Sequence, residues 1–282
     1  MLPEVLPSSG LFGVTDAEVL GRALPITGVA GDQQAALFGQ GCHSKGQAKS
    51  TYGTGCFLLM NTGREAKSSE SGLLTTIAWQ LGDEVSYALE GSVFVGGAVI
   101  QWMRDELGLI SDAAESEALA ASVEDTNGVY LVPAFTGLGA PHWNPEARGL
   151  ITGLTRGAGR AHIVRAGLES IAYQVHDLVQ CFKQDAGGAL SELQVDGGAS
   201  GNDFLMQFQA DVLGVPVLRP ECLEVTAFGA AALAGLGAGV WTDEAELASV
   251  TAEAARFSPD MSEERRQELL SGWDRAVTRA SS

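Results

Sequence analysis

Three short stretches hold the residue types that could do chemistry. The first is Gly31-Asp32-Gln33-Gln34, which follows an apolar, β-prone run from Leu24 to Ala30. A carboxylate delivered at the end of a strand, where Gly31 lets the backbone turn, suits a catalytic or metal-facing role, and Asp32 is the leading candidate. The second is Tyr52-Gly53-Thr54-Gly55-Cys56, set between two β-prone runs, Gln47 to Tyr52 and Phe57 to Asn61. Gly53 and Gly55 can present bare N–H groups to an anion, and Thr54 adds a hydroxyl. A plain hairpin whose glycines only satisfy turn geometry explains the same residues. The third is the strand Leu193 to Asp196, which runs into Gly197-Gly198-Ala199-Ser200-Gly201-Asn202 and a helix from Asp203 to Leu213. Strand, glycine turn and helix N-terminus together make a place on an α/β scaffold where a base can lie against the backbone.

The elements that must position these stretches follow from periodicity. A helix is expected from Gln33 to about Gly39, then the hairpin, then a strand pair, Leu74 to Gln80 and Val85 to Leu89, turning at Gly82-Asp83. From Gly96 the period becomes helical, with Val99, Trp102, Met103 and Leu107 on one face and Gly97 and Gln101 four apart on another. An ordinary amphipathic helix accounts for that spacing. Asp112-x-x-Glu115 resembles a capping box opening the next helix. Gly128 to Ala134 reads as a buried strand, and the loop Thr136 to Glu146 carries His142, to which no chemistry is assigned. Ile163, Ala166, Gly167, Ser170, Ile171, Gln174, Leu178 and Cys181 step by three or four along a core helix, Arg160 to Asp185. A strand Val215 to Leu218, an Ala-rich helix from Val225 and an amphipathic helix from Ser262 to Arg279 complete the pattern. Residues 1–21 read as a lead-in, and no linker divides Leu24 to Arg279.

Composition narrows the function. The 282 residues carry a formal charge of -18, which repels nucleic acid and anionic membrane surfaces. A nucleotide must then be held locally, by backbone N–H groups and Mg²⁺. No Gly-x-x-x-x-Gly-Lys run occurs and no Gly-x-Gly-x-x-Gly run follows a strand, which sets aside P-loop and dinucleotide folds. Cys42, Cys56, Cys181 and Cys222 are widely spaced and lack metal-ligand partners, so they are expected as buried reduced thiols, with no metal site of their own. The uncharged run Val225 to Thr242 is interrupted by glycines and suits a core helix better than a membrane span. With no secretory signal at the N-terminus, the expected compartment is the cytoplasm.

Longer words then carry a family resemblance. The run Gly28 to Gln40 with Ser50 to Phe57, then Leu73-Leu-Thr-Thr-Ile77, Val132 to Pro141, Leu168-Glu-Ser-Ile-Ala-Tyr173, Val195-Asp-Gly-Gly-Ala199 and Glu224-Val-Thr-Ala227, stand in one order. They resemble the C-terminal lobe of the FGGY carbohydrate kinase family, nearest to its glycerol-phosphorylating members. The resemblance implies an α/β fold, the ribonuclease H-like lobe of the sugar kinase, hexokinase, actin and Hsp70 superfamily, with a mixed sheet flanked by helices. It makes residues 22–282 the C-terminal, nucleotide-binding domain and 1–21 a lead-in from the lobe junction. ATP and Mg²⁺ are the implied cofactors and glycerol the implied substrate, with another polyol or sugar as the alternative. Asp32 would be the catalytic base; Gln33 and Phe57 would join it in binding glycerol; Thr54 would face the γ-phosphate. Gly97, Gln101, Gly198 and Asn202 would hold the nucleoside. The family's enzymes have a second lobe with an Asp-x-Gly-Thr phosphate loop, and no such sequence occurs among these residues. The expectation is therefore a half-enzyme that needs an N-terminal lobe as partner and forms a homo-oligomer when whole. A stand-alone nucleotide-binding module and a truncated, non-functional product are the other readings.

Overall fold

The computed structural model describes residues 4–248 and 253–282. The chain opens with β1 (Ser9–Val14), α1 (Ala17–Leu20) and β2 (Pro25–Gly28). There follow α2 (Asp32–Gly39), β3 (Ala48–Tyr52), β4 (Cys56–Gly63), β5 (Leu74–Leu81) and β6 (Glu84–Val93). Helices α3 (Ala98–Asp105) and α4 (Glu115–Ala121) precede the short strands β7 (Tyr130–Val132) and β8 (Leu150–Thr152). The second half runs through α5 (Arg160–Ala186), β9 (Leu193–Asp196), α6 (Asp203–Leu213), β10 (Val217–Pro220) and α7 (Val225–Gly237). It closes with α8 (Glu244–Ala248), β11 (Glu253–Phe257) and α9 (Glu263–Ala280).

One mixed sheet takes the order β11-β10-β9-β3-β4-β6-β5-β1-β2, and β7 pairs with β8 apart from it. The central β3 pairs antiparallel with β4 and parallel with β9, so the hairpin and the glycine turn after Asp196 leave the sheet side by side. Both faces are covered. The pleat divides neighbours between them: Leu58 and Met60 enter the core that packs under α3, α5 and α6, while Leu59 enters the one formed with α2 and α7. A period of two along each strand is what allows a strand to serve two cores at once.

Helices α2 and α7 touch through glycines. A Cβ built on Gly229 would stand 1.8 Å from the Ala35 carbonyl oxygen, and one on Gly39 would stand 2.5 Å from that of Val225. Glycine permits this close approach, which seats α2 on the sheet with its N-terminus, and hence Asp32, at the edge of the α2 face.

Several expectations changed in detail. Residues read as lead-in supply β1, a sheet strand with no fully buried residue, and residues 1–3 lie outside those described. The strand before Asp32 is four residues long and lies at the sheet's edge. Gly31 has φ -63 and ψ 154, open to any residue, so no special turn is made there. Gly53 and Gly55 also avoid the left-handed region. Gly55 is required for space, since a Cβ would meet the Val93 carbonyl oxygen at 2.4 Å. The Gly53 N–H is not bare, because it donates to Gly55 O at 2.9 Å. Among the described residues, no helix is long and apolar enough to cross a membrane.

Three of the four cysteines are buried, but Cys222 is exposed. Burial pushes the Cys42 and Cys56 thiols up, and Cys181 to about 11. Because the thiolate is the reactive form, a disulfide reagent should titrate Cys222 rapidly in the folded chain and all four thiols after denaturation. A second fast thiol in the native protein would contradict the packing described.

Candidate active site

The hairpin tip and α3 are built as one unit. Gly96 N–H donates to Thr54 O at 2.8 Å, Gly97 N–H to Gly53 O at 2.8 Å and Ala98 N–H to Thr54 O at 3.1 Å. These bonds engage amides around the start of α3, which a helix leaves without internal partners, and tie them to the turn carrying Thr54. The contact is tight, with room at Gly97 only for hydrogen: a Cβ would lie 2.7 Å from Gly53 O.

Across from this unit, β9 is followed by Gly197, whose φ of +84 favours glycine and whose Cβ would collide with Tyr52 O at 2.6 Å. The next residue, Gly198, opens a 3₁₀ turn to Gly201 and has no atom within 4 Å of where a Cβ would stand. Asn202 caps α6, its Oδ1 accepting from Leu205 N–H at 2.9 Å while its Nδ2 reaches Ser116 Oγ at 3.5 Å. Thr54, Gly97, Gln101, Gly198 and Asn202 all line one cleft of about 550 Å³. That size lies within the range of small-molecule and cofactor pockets. Leu168, Ile171 and Leu205 are among its apolar lining, and Arg104, Ser116 and Glu117 among its polar lining.

Asp32, Gln33 and Phe57 belong to the other face of the sheet, where α2 packs. Asp32 is exposed at the first turn of α2, and its carboxylate accepts from Gln33 N–H at 2.9 Å and from Gln33 Nε2 at 3.3 Å. Phe57 is half-buried on β4, opposite Thr51 of β3. Between them lies a residue that the sequence reading passed over. Lys49 is 0 % exposed, and its ammonium donates to Gln33 Oε1, to Thr51 Oγ1 at 2.9 Å and to Phe57 O at 3.3 Å. Burial lowers its pKa to about 8 against the opposing pull of Asp196, Cys42, Glu90 and Asp32. Burial likewise raises Glu90 and Asp196, and in both the Lys49 charge acts the other way. Asp196 also accepts from Gln40 Nε2 at 2.9 Å, joining β9 to the end of α2.

Three arginines near α5 have internal partners. Arg165 pairs with Glu169 at 2.8 Å, Arg160 with Glu115, and Arg148 donates to Pro145 O at 2.9 Å. His142 reaches Asp177 at 3.4 Å, away from the cleft just described.

Residues 48–238 match the C-terminal domain of the FGGY family of carbohydrate kinases. The chain belongs to that family. Glycerol kinase 1 of Clostridium tetani is 63% identical over 280 residues, which are 99% of this chain and 56% of that protein. The glycerol kinase of Symbiobacterium thermophilum is 62% identical with the same coverage. The FGGY chain thus spans about half the length of the curated relatives it matches. Among solved structures, that of Plasmodium falciparum glycerol kinase with ADP superposes with a TM-score of 0.92 at 39% identity, over 99% of this chain and 56% of that one. A xylulose kinase from Rhodospirillum rubrum superposes at 0.81 with 24% identity, over 99% of this chain and 57% of that one. At that identity the likeness speaks for the fold alone, a mixed α/β sheet flanked by helices.

Proposed function

We propose that this chain is the nucleotide-binding part of an ATP-dependent glycerol kinase, converting ATP and glycerol to ADP and glycerol 3-phosphate. The observation that carries the reading is the convergence of Thr54, Gly97, Gln101, Gly198 and Asn202 on one cleft, together with the identity to glycerol kinases. The same hairpin that presents Thr54 leads through β4 to Phe57 on the α2 face, where Asp32 and Gln33 stand.

Phosphoryl transfer passes through a loose transition state, so positioning and charge stabilisation supply most of the rate. Asp32 would take the proton of the attacking primary hydroxyl, Gln33 would hydrogen-bond glycerol, and Phe57 would wall its carbon chain. Thr54 would face the γ-phosphate, with Gly97, Gln101, Gly198 and Asn202 around the nucleoside. Among the described residues, no three His, Cys, Asp or Glu side chains gather to cage a metal. Mg²⁺ keeps several waters and is held largely by substrate phosphates, so it would enter with the nucleotide. When bound there it would neutralise charge on the phosphate oxygens. The reading also carries a cytoplasmic location, an N-terminal lobe completing the cleft, and a homo-oligomeric whole enzyme.

One wall of a cleft supplies only part of the preorganised donors and excludes little water. These 282 residues alone should therefore bind ADP, measured by calorimetry, yet form no glycerol 3-phosphate. Fused behind the N-terminal part of the Clostridium tetani enzyme that the match leaves uncovered, they should turn over at roughly 1–100 per second. Turnover by the chain alone would refute the two-lobe requirement. A fusion that binds ADP without turnover would favour a plain nucleotide-binding module.

A further inference from the structure

Lys49 lies mid-strand on β3, fully enclosed between the sheet and α2. Burying an ammonium is costly unless it is paired or fully hydrogen-bonded, so an aliphatic residue would fill the same space at lower cost. Its three donors have three acceptors, all neutral oxygens: Gln33 Oε1, Thr51 Oγ1 and Phe57 O. No carboxylate among the described residues forms an ion pair with it. The contact with Gln33 determines which way that amide faces. An ammonium can only donate, so it requires the amide oxygen; the NH₂ group is then turned to Asp32, whose carboxylate Oδ2 accepts from Nε2 at 3.3 Å.

We propose that Lys49 is a positioning residue of the phosphoryl transfer, locking the Gln33 amide so that it orients the Asp32 carboxylate towards the glycerol hydroxyl. The inference rests on the functional reading above. The same ammonium bonds to Thr51 and Phe57, one on each strand of the hairpin, which hold it in place beneath Gln33.

The test is a double-substitution cycle in the fusion enzyme. Lys49→Met should lower kcat roughly tenfold to a hundredfold, the scale of a slightly misplaced reacting group, with ADP binding and the KM for ATP unchanged. Gln33→Met should lower kcat on its own, and adding Lys49→Met to it should lower kcat no further, because residues acting through one link are not additive. Independent, additive losses would overturn the proposal, as would Lys49→Met with wild-type kcat. If Lys49→Met fails to bind ADP and so fails to fold, Lys49→Arg takes its place. It keeps the charge but moves the donor, and should lower kcat only where Gln33 is present; an equal loss in both backgrounds would overturn the proposal. An unsubstituted fusion without glycerol turnover would overturn the functional reading itself, and the role of Lys49 with it.

Discussion

Replacing Asp32 by Asn in the fusion enzyme is expected to lower turnover by roughly two to four powers of ten, the range for a positioned general base. The change is near-isosteric. The amide oxygen can still accept from Gln33 N–H, as the carboxylate does at 2.9 Å, so α2 keeps its start. What is lost is the proton acceptor at an exposed position on the α2 face of the sheet. The cleft proposed for the nucleotide lies on the opposite face and contains neither Asp32 nor Gln33 in its lining. ADP affinity measured by calorimetry should therefore stay where it was. If ADP binding falls in step with turnover, Asp32 holds the structure or the nucleotide's metal ion and is not the base.

Gly198→Leu is expected to act in the opposite sense, weakening nucleotide binding while leaving the fold intact. No atom lies within 4 Å of a Cβ at this position, and the residue lines the cleft. The new side chain would therefore occupy space that a nucleotide needs. Overpacking costs of about 1–3 kcal/mol correspond to a loss of roughly fivefold to 150-fold in ADP affinity, with the thermal unfolding midpoint near that of the parent. The neighbouring position makes the contrast. At Gly197, φ +84 and the 2.6 Å approach to Tyr52 O mean that even alanine would disturb the join between β9 and the hairpin. Unchanged ADP affinity in Gly198→Leu would remove Gly198 from the nucleotide site.

Local pattern was enough for the elements whose residues repeat with a clear period. The long helix was legible from Ile163 to Cys181 because its apolar residues step by three or four, and the structure places α5 over Arg160–Ala186. Leu193–Asp196 and Asp203–Leu213 coincide with the expected strand and helix, since Gly197 and Asn202 mark the turn and the cap between them. The words around Asp32, Thr54 and Gly198 likewise carried the family, because they are long and ordered along the chain.

Pairing between distant segments was a different matter. Nothing local distinguishes Ser9–Val14 as a sheet strand, because its partners, β2 and β5, determine its place and its side chains are never fully buried. A lysine in the middle of a strand reads as a residue facing water, yet Lys49 is enclosed because the sheet is covered on both faces and α2 closes over it. Its bond to Gln33, and through it to Asp32, depends on that closure. The glycines tell the same story. Gly31, Gly53 and Gly55 suggested turns, but Gly55, Gly97, Gly39 and Gly229 are needed because another segment's backbone passes within the reach of a Cβ. By itself, then, the sequence determined residue chemistry, helix periodicity and family membership. Which residues share a cleft, and which charge lies buried beneath the catalytic candidate, were decided by contacts between segments far apart in the chain, and only the packed sheet brings those together.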